Sequence, residues 1–314
     1  MSDIIMSVLS KVSSVLMMWA PLFIASTGGM ICERSGVTNI ALEGLMAIGA
    51  MSAATTHALL EAALVEGGWT EVQAGLVSIP GALILAAFFG CLFSLIHAFA
   101  SITLRADQVV SGTGINLLST GLTVFFCQVI FHQDRSGTFK RAMPNFMGFY
   151  PTALIALVIL IVSWFMLYKR PWGLRLRACG EHPQAVASAG VDVIKIRYIA
   201  VLVSGALAGL AGGCLVLTQT QYTIYTVNGH GFIALAAVSF GRWLPIGILG
   251  SSLLFAVSSV LSVISGGMRT LREILPSDFF ALLPYLITLL TLIIFSGKDY
   301  APRAVGQPYD KGKR

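Results

Sequence analysis

The sequence predicts an all-α fold, a polytopic bundle of transmembrane helices in a single domain covering residues 1–314. Three observations carry that expectation. The chain is 56% hydrophobic and 11% charged, with a mean hydropathy of +0.83, whereas soluble domains are about a quarter charged. Several uncharged runs reach the roughly 20 residues that cross a bilayer as helix. The net charge of +6 gathers in connections between those runs and in the tail. That pattern marks a cytoplasmic membrane face and excludes a nucleic-acid surface. At about 30 residues per span with its connection, the length allows about eight to ten spans and no sizeable soluble domain.

The first apolar run, Val12 to Ile31, contains Pro21 and closes on Ser26-Thr27-Gly28-Gly29. Glu33, Arg34 and Gly36 follow, and a second run extends from about Val37 to Leu60. At four-residue spacing, Asn39 and Glu43 would share one helix face. A carboxylate there faces protein or water rather than lipid, so the pair is either a structural contact or part of a polar path. Residues 61–71, acidic and glycine-containing, suit an outside loop. From Val72 to Ile102 the run is long for one span. A tilted helix, a helix kinked at Pro80 and two shorter pieces all fit it.

Arg105-Ala106-Asp107-Gln108 then opens a span carrying Ser111, Gly112, Gly114, Asn116, Ser119, Thr120, Gly121 and Thr123. Small and hydroxyl residues let membrane helices approach closely, and a helix lining a hydrophilic path would carry them too. Residues 132–149 form a polar connection, and Thr152 to Leu167 spans again before the interfacial Tyr168-Lys169-Arg170.

The connection 169–197 holds Lys169, Arg170, Arg175, Arg177, Lys195 and Arg197 against Glu181 and Asp192. A loop this basic belongs to the cytoplasmic side. Inside it Pro183 can open a short helix, where its missing N–H costs nothing. Gln184 to Ala189 continue that helix, and Gly190 is placed to end it in a left-handed cap. Its small residues Ala185, Ala187, Ser188 and Ala189 either pack on the chain's own bundle or dock into another protein. In the next run, Tyr198 to Thr220, Gly205, Gly209 and Gly213 recur every four residues. They form a small face for tight helix contact, within this chain or with a second membrane subunit.

Between Gly229 and Gly247 the apolar part, Phe232 to Phe240, is too short to cross alone. It is either a short or re-entrant helix or a span continuing into Leu249–Val263. Residues 265–278 are amphipathic, Phe279 to Phe295 spans again, and the basic tail 297–314 reads as cytoplasmic and mobile. Counting from the basic connection puts 132–149 outside, the Arg105 turn inside, 61–71 outside and the Glu33–Arg34 turn inside. The N-terminus then lies outside, unless Met1–Val8 adds a crossing.

Catalytic and metal-binding patterns do not emerge. No G-x-x-x-x-G-K-[ST] phosphate loop occurs. Cys32, Cys91, Cys127, Cys179 and Cys214 show neither disulfide nor zinc spacing. His57, His97, His132, His182 and His230 stand apart from one another. The chain is expected to be no enzyme and to bind no metal or cofactor itself.

Four stretches together resemble one family across about Glu33 to Phe295. They are ERSGVTNIALEGLM, ADQVVSGTGINLLSTGLT, GEHPQAVASAG with the following SGALAGLAGG, and GHGFIALAAVSFGRWLPIG. The likeness is to the inner-membrane permeases of ABC importers that handle branched-chain amino acids, ribose-type sugars and nucleosides. It is strongest to the nucleoside subgroup.

The resemblance implies a type II importer fold in the bacterial inner membrane. It also implies a second permease, identical or homologous, a cytoplasmic ATPase that uses ATP and Mg, and an extracytoplasmic binding protein. The ATPase-coupling role then falls on Gly180, Glu181, Pro183, Ala185 and Gly190. The span holding Asn116 and Gln108 becomes a pathway helix, with Asn39 and Glu43 as further path candidates. A nucleoside is the implied cargo, with riboflavin or a monosaccharide such as ribose as alternatives. An ion-coupled secondary transporter is the rival of another class. It would need ionisable residues at the bilayer midplane and inverted repeats, whereas the acidic residues here cluster near span ends.

Overall fold

The computed structural model describes residues 2–139, 141, 143–144, 149–219, 221–267 and 300–310, with single positions between 282 and 293. Among them the helices in chain order are α1 (Ser2–Glu33), α2 (Leu42–Glu66), α3 (Glu71–Ala98), α4 (Gln108–Phe131), α5 (Pro151–Lys169), α6 (Pro171–Glu181), α7 (Pro183–Ser188), α8 (Val193–Thr218), α9 (His230–Phe240) and α10 (Pro245–Gly267). Seven of these are long and apolar enough to cross a membrane, and α9 is too short. Apart from those single positions, the expected span Phe279–Phe295 lies outside the described residues, as does the amphipathic stretch beyond Gly267.

Local chemistry sets the helix ends. Thr70 and Gln73 form a reciprocal capping box at the start of α3. Asp107 accepts hydrogen bonds from the Val109 and Val110 amides at the start of α4, and Asp192 does the same for Lys195 at α8. Proline opens α5, α6 and α7 at the position where its missing N–H is no loss.

Several expectations are decided or corrected. The long run after residue 71 is a single helix that continues past Pro80 and ends in a π turn at Phe99–Thr103. Residues 2–8 add no separate crossing, because α1 is continuous from Ser2. Residues 230–240 form a short helix of their own, separated from α10 by a turn in which Arg242 and Trp243 both have positive φ. Asn39 does not share a helix face with Glu43. The second helix starts at Leu42, leaving Val37–Asn39 without helical hydrogen bonds. The basic connection holds two helices rather than one. Gly173, Leu176 and Cys179 are buried at three-residue spacing along α6, a helical period too short for a hydropathy window to register. The tail expected to be mobile is packed over residues 300–310, with Ala304 donating its N–H to the Gly180 carbonyl.

Helix α8 is the centre of the bundle. It packs against α1, α2 and α3, and 67% of its apolar window is buried, second to 78% for α1 and against 22% for α4. Its small residues explain this. A Cβ added at Gly209 would stand 2.2 Å from the Ala86 carbonyl oxygen of α3, and one at Gly212 2.0 Å from the Met46 carbonyl oxygen of α2. Gly205 packs against Ser94 and Gly90, and Gly213 against Ala86 and Leu83. The glycine face therefore makes contacts within this chain. In lipid, where apolar burial drives helices together only weakly, such close backbone approach is the main source of packing energy.

Two ends of the bundle are distinguished by what meets there. At one end the Arg141 amide donates to Glu61, the Met143 amide to the Leu217 carbonyl, and the Ser136 amide to the Tyr222 carbonyl. These contacts join Glu61 to Arg141, and Ser136 and Met143 to Tyr222 and Leu217, so the two connections assigned to the outside, 61–71 and 132–149, meet at one end. At the other end lie Arg34, Gly180, Arg197, Arg105 and the tail. That end carries the cationic connections, the charge pattern expected of a cytoplasmic face.

Candidate functional site

The part of the site at the cationic end is built by α6 and α7. Pro183 and Val186 are buried beneath α7, while Gln184, Ala185, Ser188, Ala189 and Gly190 are exposed. Gly190 ends the helix at φ +79°, a conformation open to glycine at little cost. Gly180 allows α6 to lie directly on the turn after α1. A Cβ there would stand 2.4 Å from the Arg34 carbonyl oxygen. Burial pushes the Cys179 thiol up to about 11, with the Arg197 charge opposing. Burial also lowers the Arg34 guanidinium from its ordinary value, with Tyr168 opposing. Glu181 is half-buried beside this contact.

From that turn the chain re-enters the bundle. Between α1 and α2, residues 34–41 leave the helical path, and the Asn39 side chain donates to Ser204 Oγ at 2.8 Å. Ser204 lies eleven residues past Val193 along α8, about three turns from the start of that helix. Asn39 therefore sits inside the bundle, between helices long and apolar enough to cross a membrane. Non-helical backbone is tolerated there only where protein or water satisfies it.

Side chains from α3, α4 and α8 supply the partners. Gln108 Oε1 accepts from the Thr38 amide at 2.7 Å. Asn116 bridges the break: its Oδ1 accepts from the Gly44 amide at 2.8 Å and its Nδ2 donates to the Ile40 carbonyl at 2.9 Å. His97 Nε2 lies 2.9 Å from the Thr38 carbonyl, which can only accept, so its Nδ1 accepts from Ser111 Oγ at 3.0 Å.

A second interruption meets the first. Helix α9 begins at this depth, and the Glu43 carboxylate accepts from the Gly229 and Gly231 amides, each at 2.6 Å. Glu43 also lies in the first turn of α2. One carboxylate thus serves two helix N-termini, whose dipoles both favour negative charge. Gly231 makes the approach feasible, since a Cβ there would stand 2.4 Å from Glu43 Cα.

The four path candidates Asn39, Glu43, Gln108 and Asn116 are therefore brought to one place, where each bonds the interrupted backbone or its neighbour. Gln108 and Asn39 are buried, whereas Asn116, Glu43, Thr38 and Ile40 are half-buried. Beside them α4 presents Thr113, Gly114, Leu117, Thr120 and Gly121 away from the bundle. The sequence reading missed His97, Ser111 and Ser204, whose partners are 14 to 165 residues away. A lone intramembrane histidine was the available signal. It also missed Arg197 as a buried anchor, together with the Trp243 indole N–H bonded to Glu33.

This arrangement places an exposed helix beside a polar discontinuity inside the bundle. Comparison with known proteins gives the family. The chain is 39% identical to the guanosine ABC transporter permease NupQ of Bacillus subtilis, covering 99% of this chain and 100% of that protein. It is 37% identical to the nucleoside ABC transporter permease NupC of Lactococcus lactis, covering 96% and 97%. A second Bacillus subtilis protein, the guanosine ABC transporter permease NupP, is 26% identical over 69% of this chain and 63% of its own. Residues 11–292 match the branched-chain amino acid transport system / permease component family. This multi-pass membrane protein belongs to that permease family.

Proposed function

We infer that the chain is the membrane-spanning permease of an ATP-driven importer that carries a nucleoside across the bacterial cytoplasmic membrane. Its main support is one structural coincidence. The exposed α7 follows α6, which is seated through Gly180 on Arg34, and the chain leads from Arg34 into the break between α1 and α2. Full-length likeness to permeases named for guanosine and nucleosides supports the cargo.

In this reading a cytoplasmic ATPase, which binds the ATP and Mg, grips α7 and closes. Gly180, Glu181, Pro183, Ala185 and Gly190 shape that contact. The push passes to residues 34–41, and Asn39, Glu43, Gln108 and Asn116 hold the polar path as it opens inward. Likeness to two different guanosine permeases of one organism, at unequal identity, supports a partner permease distinct from this chain. A binding protein delivers cargo from outside.

The test is reconstitution of the chain with its ATPase, partner permease and binding protein in vesicles. Guanosine, ribose and riboflavin uptake is compared with and without ATP. ATP-dependent guanosine uptake, lost on Ala185→Glu while the bundle keeps its thermal stability, supports the reading. Uptake that ignores ATP and follows an ion gradient overturns the class, and ribose or riboflavin uptake overturns the cargo.

A further inference from the structure

The tail residues 300–310 touch the cytoplasmic turns of the bundle in succession. The Tyr300 ring lies 4.5 Å from the Arg242 guanidinium, in the α9–α10 turn. Pro302 packs against Gly180, and the Ala304 amide donates to the Gly180 carbonyl at 2.8 Å, at the end of α6. The Ala304 carbonyl lies beside Gly36, in the α1–α2 turn. Gln307 accepts from Arg197 Nη1 at 3.0 Å, and Asp310 pairs with Arg105 at 3.1 Å in the α3–α4 turn.

Arg197 is the centre of this set. Its side chain is 1% exposed, and it heads the largest fully buried side chains. While Nη1 donates to the tail, Nε donates to the Ser35 carbonyl at 3.2 Å. One guanidinium thus joins α8, the tail and the first residues of the membrane break. Removing a guanidinium from water is costly, and among the described residues no carboxylate pairs with Arg197 to offset that cost. Nη2 has no hydrogen-bond partner among the described residues. The fork geometry of arginine, two donors held rigidly toward two carbonyls, is what the position uses.

We propose that Arg197 and the strap 300–310 form a clasp that makes the coupling helices and the membrane break move as one body. The proposal rests on the reading as an ATP-driven permease. Without the strap, α6 rests on residue 34 where Gly180 meets the Arg34 carbonyl, and a push on α7 can be absorbed by sliding there. With it, the Gly180 carbonyl, Gly36 and Arg197 are tied to the same eleven residues. Arg197 is a positioning residue here and touches no cargo.

The experiment reads ATP hydrolysed per guanosine imported by the complete reconstituted complex. A chain ending at Asp299 and the variant Arg197→Met are each expected to bind the ATPase and to raise that ratio at least about fivefold, the lower bound of usual coupling energies. Arg197→Lys, which keeps charge and one donor, is expected to fall between. A wild-type ratio in the shortened chain overturns the clasp.

Should the shortened chain fail to assemble, hydrogen exchange in the intact complex decides. The Ala304, Val305 and Gln307 amides, all bonded in the structure, are expected to stay protected with and without trapped ATP. Loss of protection in either state overturns the proposal. A wild-type complex without ATP-dependent uptake would instead overturn the importer reading, and the exchange measurement would still decide the clasp.

Discussion

Glu43 and Gly229 are 186 residues apart in sequence, yet the carboxylate of one accepts the backbone N–H of the other at 2.6 Å. With Gly231 bonded to the second oxygen, this contact fixes the depth at which α9 starts and ties it to the first turn of α2.

Replacing Glu43 by Gln removes the charge and leaves one accepting oxygen for two amides. The expected loss is about 1–2 kcal/mol, the range for a helix cap, with reduced uptake. Thermal unfolding of the purified complex and guanosine uptake check both. Unchanged stability would show that the two helix ends do not depend on the carboxylate.

Asn116→Ala strips partners from the Gly44 amide and the Ile40 carbonyl together. Each unsatisfied backbone group inside the bundle costs about 1–3 kcal/mol. Transport is expected to fall at least about tenfold, a factor equal to 1.4 kcal/mol, while co-purification with the ATPase is retained. Wild-type uptake would remove Asn116 from the transport path.

Gly209 and Gly114 make a contrasting pair. A leucine at Gly209 would collide with the Ala86 and Gly90 backbone, whereas nothing lies within 4 Å of a Cβ at Gly114. Gly209→Leu is expected to abolish recovery of folded protein from the membrane. Gly114→Leu is expected to leave the single chain's unfolding temperature unchanged. Size-exclusion profiles and thermal scans in detergent distinguish the two. Should Gly114→Leu also block assembly with the second permease, that exposed α4 face belongs to the partner contact.

Cys179 gives a pH dependence with a definite sign. Its pKa lies above the ordinary 9.0, at about 11, because burial disfavours the thiolate. The unfolded chain therefore loses this proton at lower pH than the folded chain. The contribution of Cys179 to stability is complete below pH 9 and is lost as pH rises through 11. In a variant with Cys179 as its only cysteine, maleimide labelling at pH 8 is expected to be slow in the native protein and fast after denaturation. Fast native labelling would place the thiol in water.

How much of the site was legible depended on how local each signal is. The α7 helix was readable because Pro183 and Gly190 punctuate it within eight residues. The small face of Gly205, Gly209 and Gly213 was readable as a face, but its partner was not, since a glycine ladder fits any close helix. Asn39 and Glu43 were found as polar residues in an apolar run, and their geometry was misread. Helix spacing was assumed where the backbone leaves the helix, and nothing in Val37-Thr38-Asn39 announces that break.

By itself the sequence determined that this is a multi-pass helical membrane protein, which end of it carries the cationic connections, and where its short capped helix lies. Hydropathy, charge and cap chemistry act over a few residues, so they can be read along the chain. Only the tertiary structure decided that two helix N-termini meet at Glu43, that three helices supply partners to the break at 38–44, and that the tail is bound by Arg197. Those contacts join groups 59 to 188 residues apart. They follow from the requirement that every backbone group inside a bilayer find a partner, and only the folded chain shows which side chain is near enough to provide it.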